Sequence, residues 1–303
     1  MSDPIVYHIP ALLPQVLEAM QLEPSGTYAD ATFGGGGHSR AIFERLGADG
    51  RLFSFDQDSE ALANAWSDLR FTPVHGNFRY IHQYLRFYGA EQIDAILADL
   101  GVSFHHFDEA ERGFSFRFNG PLDMRMNRMA GRTAADVIAQ STEQELADTF
   151  RLFGELRQAP RLAAAIVRER AKQPILTIEQ LLSVCSPLIS KRDEKKELAQ
   201  LFQALRIVVN DEIAALEQFL TQSLESLRQG GRLVIITYHS LEDRLVKNFM
   251  RAGNFTGRPE KDFYGRNLAP MKLLTSKPIV PDADEVARNP RSRSAKLRVA
   301  QRL

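Results

Sequence analysis

A single cysteine, Cys185, in 303 residues leaves the chain no disulfide framework and no cysteine-based zinc cage. No apolar run approaches membrane-spanning length, and the start Met1-Ser-Asp-Pro4 lacks the basic and apolar regions of a secretion signal. These absences point to a cytoplasmic protein with no membrane partner. Net charge is missing too: 38 Lys and Arg balance 38 Asp and Glu, so any nucleic-acid partner has to be sought in local clusters. What is present is ordinary for a globular protein, with 44% hydrophobic and 25% charged residues, over a length that suggests two lobes.

The most informative stretch is Tyr28-Ala-Asp-Ala-Thr-Phe-Gly-Gly-Gly-Gly-His-Ser39, an alternating strand that runs into four glycines and then the helix pattern Arg40–Leu46. Such glycines let a ligand approach the main chain without meeting a Cβ, and the helix start presents N–H groups without intrahelical partners. Gly50–Asp56 reads as a second strand ending in an acid about 20 residues after the glycines, where a doubly wound fold puts its ribose-binding carboxylate. The dinucleotide pattern G-x-G-x-x-G fails, because its last position falls on Ser39 or Arg40, and His38-Ser39 supplies no phosphate-binding lysine. S-adenosylmethionine, which has a ribose and an adenine but no phosphate, suits the pattern better. A nicotinamide oxidoreductase remains the second enzyme class, and a tight turn without a ligand would need only one or two of the glycines.

Leu12, Leu13, Val16, Leu17 and Met20 predict a lead-in helix after Pro10, and from Thr27 strands and helices alternate. A helix is expected around Glu60–Trp66, a strand at Thr72–His75, a helix over Tyr80–Tyr88 and a strand at Gln92–Asp99. This alternation predicts an α/β fold with a mostly parallel sheet whose ligand sits beyond the carboxyl ends of the strands. Gly76-Asn77-Phe78, Asp99 and the glycines lie at such ends, with Phe78 available to stack on adenine. After a loop-like stretch to Phe118, the patterns Ala134–Ile138, Glu143–Phe153, Arg161–Lys172 and Ile178–Val184 are all helical. The sheet resumes with a helix over Glu212–Leu227, a strand at Gly230–Thr237, a helix over Leu241–Met250 and a closing strand at Lys296–Gln301. The expected organisation is a first part of the α/β domain over 1–105, a helical insertion for substrate recognition over 106–206, and the second part with a basic tail over 207–303.

Charge is segregated locally. Arg112–Arg132 holds five arginines against Asp123 alone, and Thr256 to the end holds eleven Lys and Arg against five acids, a net of +6. Phe104, Phe107, Phe114, Phe116 and Phe118 interleave with His105, His106, Arg112 and Arg117, a composition suited to phosphates and unstacked bases of RNA. The alternative is that the phenylalanines fill a core and the arginines pair with Asp123 and Glu111; it is favoured for any single phenylalanine, RNA for the cluster.

Six blocks in order resemble the MraW family of methyltransferases: Thr32–Ser39, Asp99-Leu-Gly-Val-Ser103, Glu111-Arg-Gly-Phe-Ser-Phe116, Gly120-Pro-Leu-Asp-Met-Arg-Met126, His239-Ser-Leu-Glu-Asp-Arg244 and Asn289-Pro-Arg-Ser-Arg293. The resemblance implies a class I S-adenosylmethionine-dependent methyltransferase, Rossmann-like, with an inserted all-helical domain. It implies methylation of a cytosine N4 in the decoding centre of bacterial small-subunit rRNA, that rRNA as partner, and cofactor contacts at Gly36, Gly37, His38, Asp56, Phe78 and Asp99. Two positions depart from the family: His106 stands where a Gln contacts the cofactor, and Phe153-Gly-Glu-Leu156 replaces Tyr-Gly-Glu-Glu. His106 is expected to take over the Gln contact.

The chemistry itself asks for an acceptor that bonds the weakly nucleophilic N4 amine, and Asp99 at a strand end is the catalytic candidate. Transfer from a sulfonium needs positioning and no metal. His239, Glu242 and Asp243 either orient the base or cap a helix. A non-catalytic RNA-binding protein that kept the fold is a third reading, and monomer or homodimer stays open.

Overall fold

The computed structural model describes residues 10–101 and 109–303. The chain divides into two units, Met1–Gly101 with Ala214–Leu303, and Val102–Ile213. The divisions lie near, but not at, residues 105 and 206. A break at 206 would cut the helix Glu194–Val209.

In chain order the first unit begins with α1 (Leu13–Met20), β1 (Thr27–Asp30), α2 (Gly37–Phe43), β2 (Arg51–Asp56), α3 (Ser59–Leu62), β3 (Phe71–His75), α4 (Ile81–Phe87) and β4 (Ile93–Asp99). The helix expected to reach Trp66 stops at Leu62, because the indole is used otherwise. Trp66 lies flat on Phe71, with centroids 3.8 Å apart, and the Arg40 guanidinium sits 3.8 Å from its ring centre.

The second unit follows as α5 (Ala134–Gln140), α6 (Glu143–Leu152), α7 (Ala159–Arg170), α8 (Ile178–Cys185) and α9 (Glu194–Val209). Three of these helices start with reciprocal capping boxes, Thr133 with Asp136, Thr142 with Glu145 and Thr177 with Gln180, each satisfying two end N–H groups. Leu146, Phe150, Leu162, Ile166, Leu181, Leu201 and Leu205 form its core. The segment before α5 corrects the charge reading. Arg112 is buried, and its Nη2 donates to the carbonyls of Arg125 and Met126 at 3.3 and 3.1 Å. Arg125 grips Asp123 with two bonds of 2.8 and 2.9 Å. Phe114 is buried and Phe116 packs edge-on against Phe202 at 5.6 Å. Arg117, Arg128 and Arg132 remain exposed.

The chain then passes through α10 (Glu212–Ser226) and completes the first unit with β5 (Leu227–Thr237), α11 (Ser240–Ala252), β6 (Met271–Leu273), α12 (Ala283–Arg288) and β7 (Lys296–Arg302). The sheet order is β3-β2-β1-β4-β5-β7-β6. β1 to β5 run parallel, and β7 lies antiparallel to both its neighbours. Alternate residues of each strand serve opposite faces. Phe53, Ile96, Leu233 and Ile235 join one apolar layer with Ile81, Leu85, Phe219 and Phe249. Leu52, Leu97, Val234 and Ile236 join the other with Val16, Met20 and Ile42. β6 and α12 arise in a stretch whose proline and charge content reads as irregular.

Across α11 and β7, Arg298 holds Asp243 with two bonds of 2.7 and 3.1 Å, both side chains largely buried. The guanidinium outweighs burial and keeps the Asp243 carboxyl below its ordinary range. Removing Arg298 leaves Asp243 with the longer, 3.8 Å contact to Lys296 in place of two short bonds, so Arg298→Leu is expected to cost about 3 kcal/mol, with Arg298→Leu/Asp243→Leu recovering most of it. Urea midpoints of the two proteins check this; an equal loss in both would show that the pair itself contributes little.

Candidate active site

The five parallel strands deliver their carboxyl ends to one edge of the sheet, and the chain reverses its winding between β1 and β4. That reversal is where open α/β sheets bind ligands. β1 ends at Asp30, fully buried. Its Oδ1 accepts from the Thr32 N–H at 3.1 Å and its Oδ2 from the Ser39 hydroxyl at 2.6 Å, with Ser54 next in line at 2.8 Å. Thr32 Oγ1 accepts the Asp99 N–H at 2.7 Å, which ties the end of β1 to the end of β4.

In the turn between β1 and α2, Gly34 and Gly36 take left-handed φ values of 51° and 77°. Gly34 donates its N–H to Asp56 Oδ2 at 2.9 Å, and Asp58 donates to Oδ1 at 2.9 Å, so the acid ending β2 is oriented by two backbone groups. Gly36 caps α2 with no side chain over its first turn, Gly37 opens it, and His38 follows, buried. Because a carbonyl only accepts, the 3.0 Å contact from His38 Nε2 to the Ala11 oxygen makes Nε2 the donor. Nδ1 is left 3.7 Å from Asp99 Oδ2. Phe78 follows β3 and sets its edge on Phe219, centroids 5.1 Å apart, with one side still partly exposed. Asn77 beside it bonds Gln57 at the end of β2 at 2.9 Å. His106 lies outside the described residues.

Burial is the largest influence on Asp99 and raises its pKa, opposed by the His38 charge and by hydrogen bonds from Tyr238 and the Gly101 backbone. A fifth of the side chain is accessible, yet Oδ1 is buried with no hydrogen-bond partner among the described residues. Tyr238 follows β5, and burial first, then the Asp99 charge, holds its phenol far above its ordinary pKa, so it stays a donor. Gly101 makes room for it: a Cβ there would stand 2.8 Å from the Tyr238 ring. Burial also pushes Asp30 up to about 6, against His38, Ser39 and Thr32. Asp30 and Tyr238 were not picked out from the sequence. An acid inside the apolar strand at the glycine turn was the available signal for the first; position at a strand end was the signal for the second.

His239 turns out to be the cap of α11: Nδ1 accepts the Glu242 N–H at 3.4 Å, and Glu242 Oε2 accepts the Tyr238 and His239 N–H groups at 3.1 and 3.4 Å. Asp243 is engaged by Arg298.

The sequence profile of the MraW methylase family matches residues 5–303. The chain belongs to the MraW methylase family. The ribosomal RNA small subunit methyltransferase H of Bacteroides fragilis is 56% identical over 301 residues, covering 99% of this chain and 99% of that one. The protein of the same name from Bacteroides thetaiotaomicron is 55% identical with the same coverage, and that of Porphyromonas gingivalis 53% identical over 98% of this chain and 97% of its own. Among solved structures, an S-adenosylmethionine dependent methyltransferase from Mesorhizobium loti covers 95% of this chain and 96% of its own at 11% identity, with a TM-score of 0.40. That distant likeness adds nothing to a fold already plain from the strand order, which is that of a class I methyltransferase.

The cofactor of this methylase is S-adenosylmethionine, which sets aside the nicotinamide reading. The residues present fit it. A Cβ at Gly34 or Gly35 would meet no atom within 4 Å, so the glycine turn has an open edge, and Asp56 and Asp99 bring acceptors to the strand ends. No helix among the described residues is long and apolar enough to cross a membrane.

The raised pKa of Asp30 has a sign that can be tested. An acid with a folded pKa above its unfolded value favours folding while protonated, so its contribution is full below about 4 and lost as pH rises through about 6. Asp30→Asn is expected to gain stability relative to the parent protein as pH goes from 4 to 7. Urea denaturation at several pH values checks this, and parallel curves for the two proteins would contradict it.

Proposed function

We propose that this methylase transfers the methyl group of S-adenosylmethionine to N4 of a cytosine in the decoding centre of small-subunit rRNA, in the cytoplasm, with the helical unit contributing to substrate recognition. The observation that carries the chemistry is Asp99 Oδ1, a buried acceptor without a partner among the described residues, on a carboxylate whose pKa burial has raised. The rRNA target draws support from relatives above 50% identity named as small-subunit rRNA methyltransferases.

S-adenosylmethionine supplies an electrophilic methyl on a sulfonium. In this reading Asp56, Gly36, Gly37 and Phe78 hold it, with His106 in place of the family's Gln. Asp99 Oδ1 accepts an N–H of the N4 amine, which directs the nitrogen lone pair at the methyl. The same carboxylate would take the proton that the amine sheds when the methyl's bond to sulfur is exchanged for one to nitrogen and the electron pair stays on sulfur. A carboxylate of raised pKa accepts that proton more readily. Thr32 and Tyr238 fix the Asp99 backbone and side chain, and His38, anchored on Ala11, faces its other oxygen. The target amine is reached by taking the cytosine out of its stack, while exposed arginines such as Arg117, Arg128, Arg132 and Arg293 hold flanking phosphates.

Methyl transfer to small subunits from a strain lacking the modification, with the product nucleoside identified by mass spectrometry, tests this directly. N4-methylated cytidine is expected from the subunit, and little from duplex DNA or free cytidine; methylation at another atom, or of duplex DNA, would overturn the assignment. Asp99→Ala is expected to lose transfer at saturating cofactor. Asp56→Ala is expected to weaken S-adenosylmethionine binding by about one to two orders of magnitude, read by calorimetry. The Tyr238 bond lowers the Asp99 pKa, so Tyr238→Phe should move the rise of kcat with pH to higher pH. An unmoved profile would remove Tyr238 from the site.

A further inference from the structure

Residues 258–268 fold back as a hairpin tip that displays two aromatic side chains to solvent. Phe263 is 97% and Tyr264 81% exposed, neighbouring rings set edge to face at 5.6 Å. The tip is ordered by its own bonds. Asp262 Oδ1 accepts the N–H groups of Tyr264 and Arg266 at 2.9 and 2.8 Å, the Asp262 N–H donates to Arg266 O at 2.9 Å, and the Leu268 N–H donates to Glu260 O at 2.9 Å. Its base is tied to α11, where Asn248 donates to Phe255 O at 2.9 Å and Arg251 to Gly257 O. Two large apolar surfaces are thus held out of any core by a turn that polar residues would form equally well.

We propose that this hairpin is a contact for an unpaired RNA strand, with Phe263 and Tyr264 as stacking faces for bases. The inference rests on the rRNA reading above and adds a binding element to it, outside the strand-end site. Charge decides for RNA over an apolar protein surface. Arg258, Lys261 and Arg266 are exposed in the same hairpin, Arg266 lying 5.9 Å from the Tyr264 centroid. Against these three cations stand two acids, Glu260 and Asp262, a net of +1, and Asp262 turns its Oδ1 onto the hairpin's own backbone. Aromatic faces bordered by cations on an ordered loop are what single strands bind, since every base has a π-face and every nucleotide a phosphate.

The test compares the full chain with Phe263→Ser/Tyr264→Ser, with Arg258→Gln/Lys261→Gln/Arg266→Gln, and with Phe87→Ser, an 81% exposed aromatic on α4 as control. A fluorescent single-stranded RNA dodecamer, read by anisotropy at several salt concentrations, reports binding. Methyl transfer to small subunits reports KM and kcat. The aromatic pair variant should bind the strand about 100-fold more weakly, with a raised KM, unchanged kcat and an unchanged melting temperature. The cation variant should flatten the slope of log affinity against log salt by about 2, and Phe87→Ser should behave as the parent. If the parent binds and methylates while the aromatic variant matches it, the hairpin inference fails and the rRNA reading stands. If the variant loses transfer to subunits but keeps its affinity for the free strand, the hairpin docks on protein and the inference is overturned. A parent that neither binds RNA nor methylates subunits fails the underlying reading itself.

Discussion

Two carboxylates at the ends of neighbouring strands, Asp30 fully buried and Asp99 a fifth accessible, dominate this molecule. Asp30 and Asp99 end adjacent parallel strands; burial raises the pKa of both, and the Asp99 charge adds to the rise at Asp30. Two such charges are tolerated only if every nearby donor is spent on them. The Thr32 backbone, Ser39, Tyr238, the Gly101 backbone and His38 all serve that need. With Nε2 of His38 committed to Ala11, its Nδ1 faces Asp99 over 3.7 Å. Much of the local sequence, from the hydroxyls after β1 to the glycine that lets Tyr238 close in, follows from keeping these acids in place.

The glycine turn and the acid that ends β2 were legible because backbone requirements leave a trace in residue type. Four glycines at a strand-to-helix turn and an acid a fixed distance on mark Gly34, Gly36 and Asp56, and the structure joins Gly34 to Asp56 by a hydrogen bond. The alternation of strand and helix was legible for the same reason, since each period is local. Tyr238 was not, because its role is to meet Asp99 from a strand far along the chain, and no local pattern encodes that meeting. β6 escaped notice because three residues are too few to show alternation.

Charge counted along a chain proved a poor guide to charge on a surface. Of the arginines between 112 and 132, Arg112 spends its guanidinium on carbonyls and Arg125 on Asp123, both for the helical unit's own order. Conversely, the stretch from Thr256 looked merely basic, and it holds a hydrogen-bonded tip with two bare rings.

The sheet's strand order also bears on how the protein comes into being. β4 is flanked by β1, made early, and by β5, whose end at Thr237 follows Asp99 by about 140 residues. At translation rates of about 5–20 residues per second, the end of β4 leaves the ribosome on the order of ten seconds before its second neighbour. The intervening helices have a core of their own, and helical structure forms quickly. The nascent chain therefore carries a half-built sheet with β4 as an open edge, apolar on both faces, through the whole synthesis of the insertion.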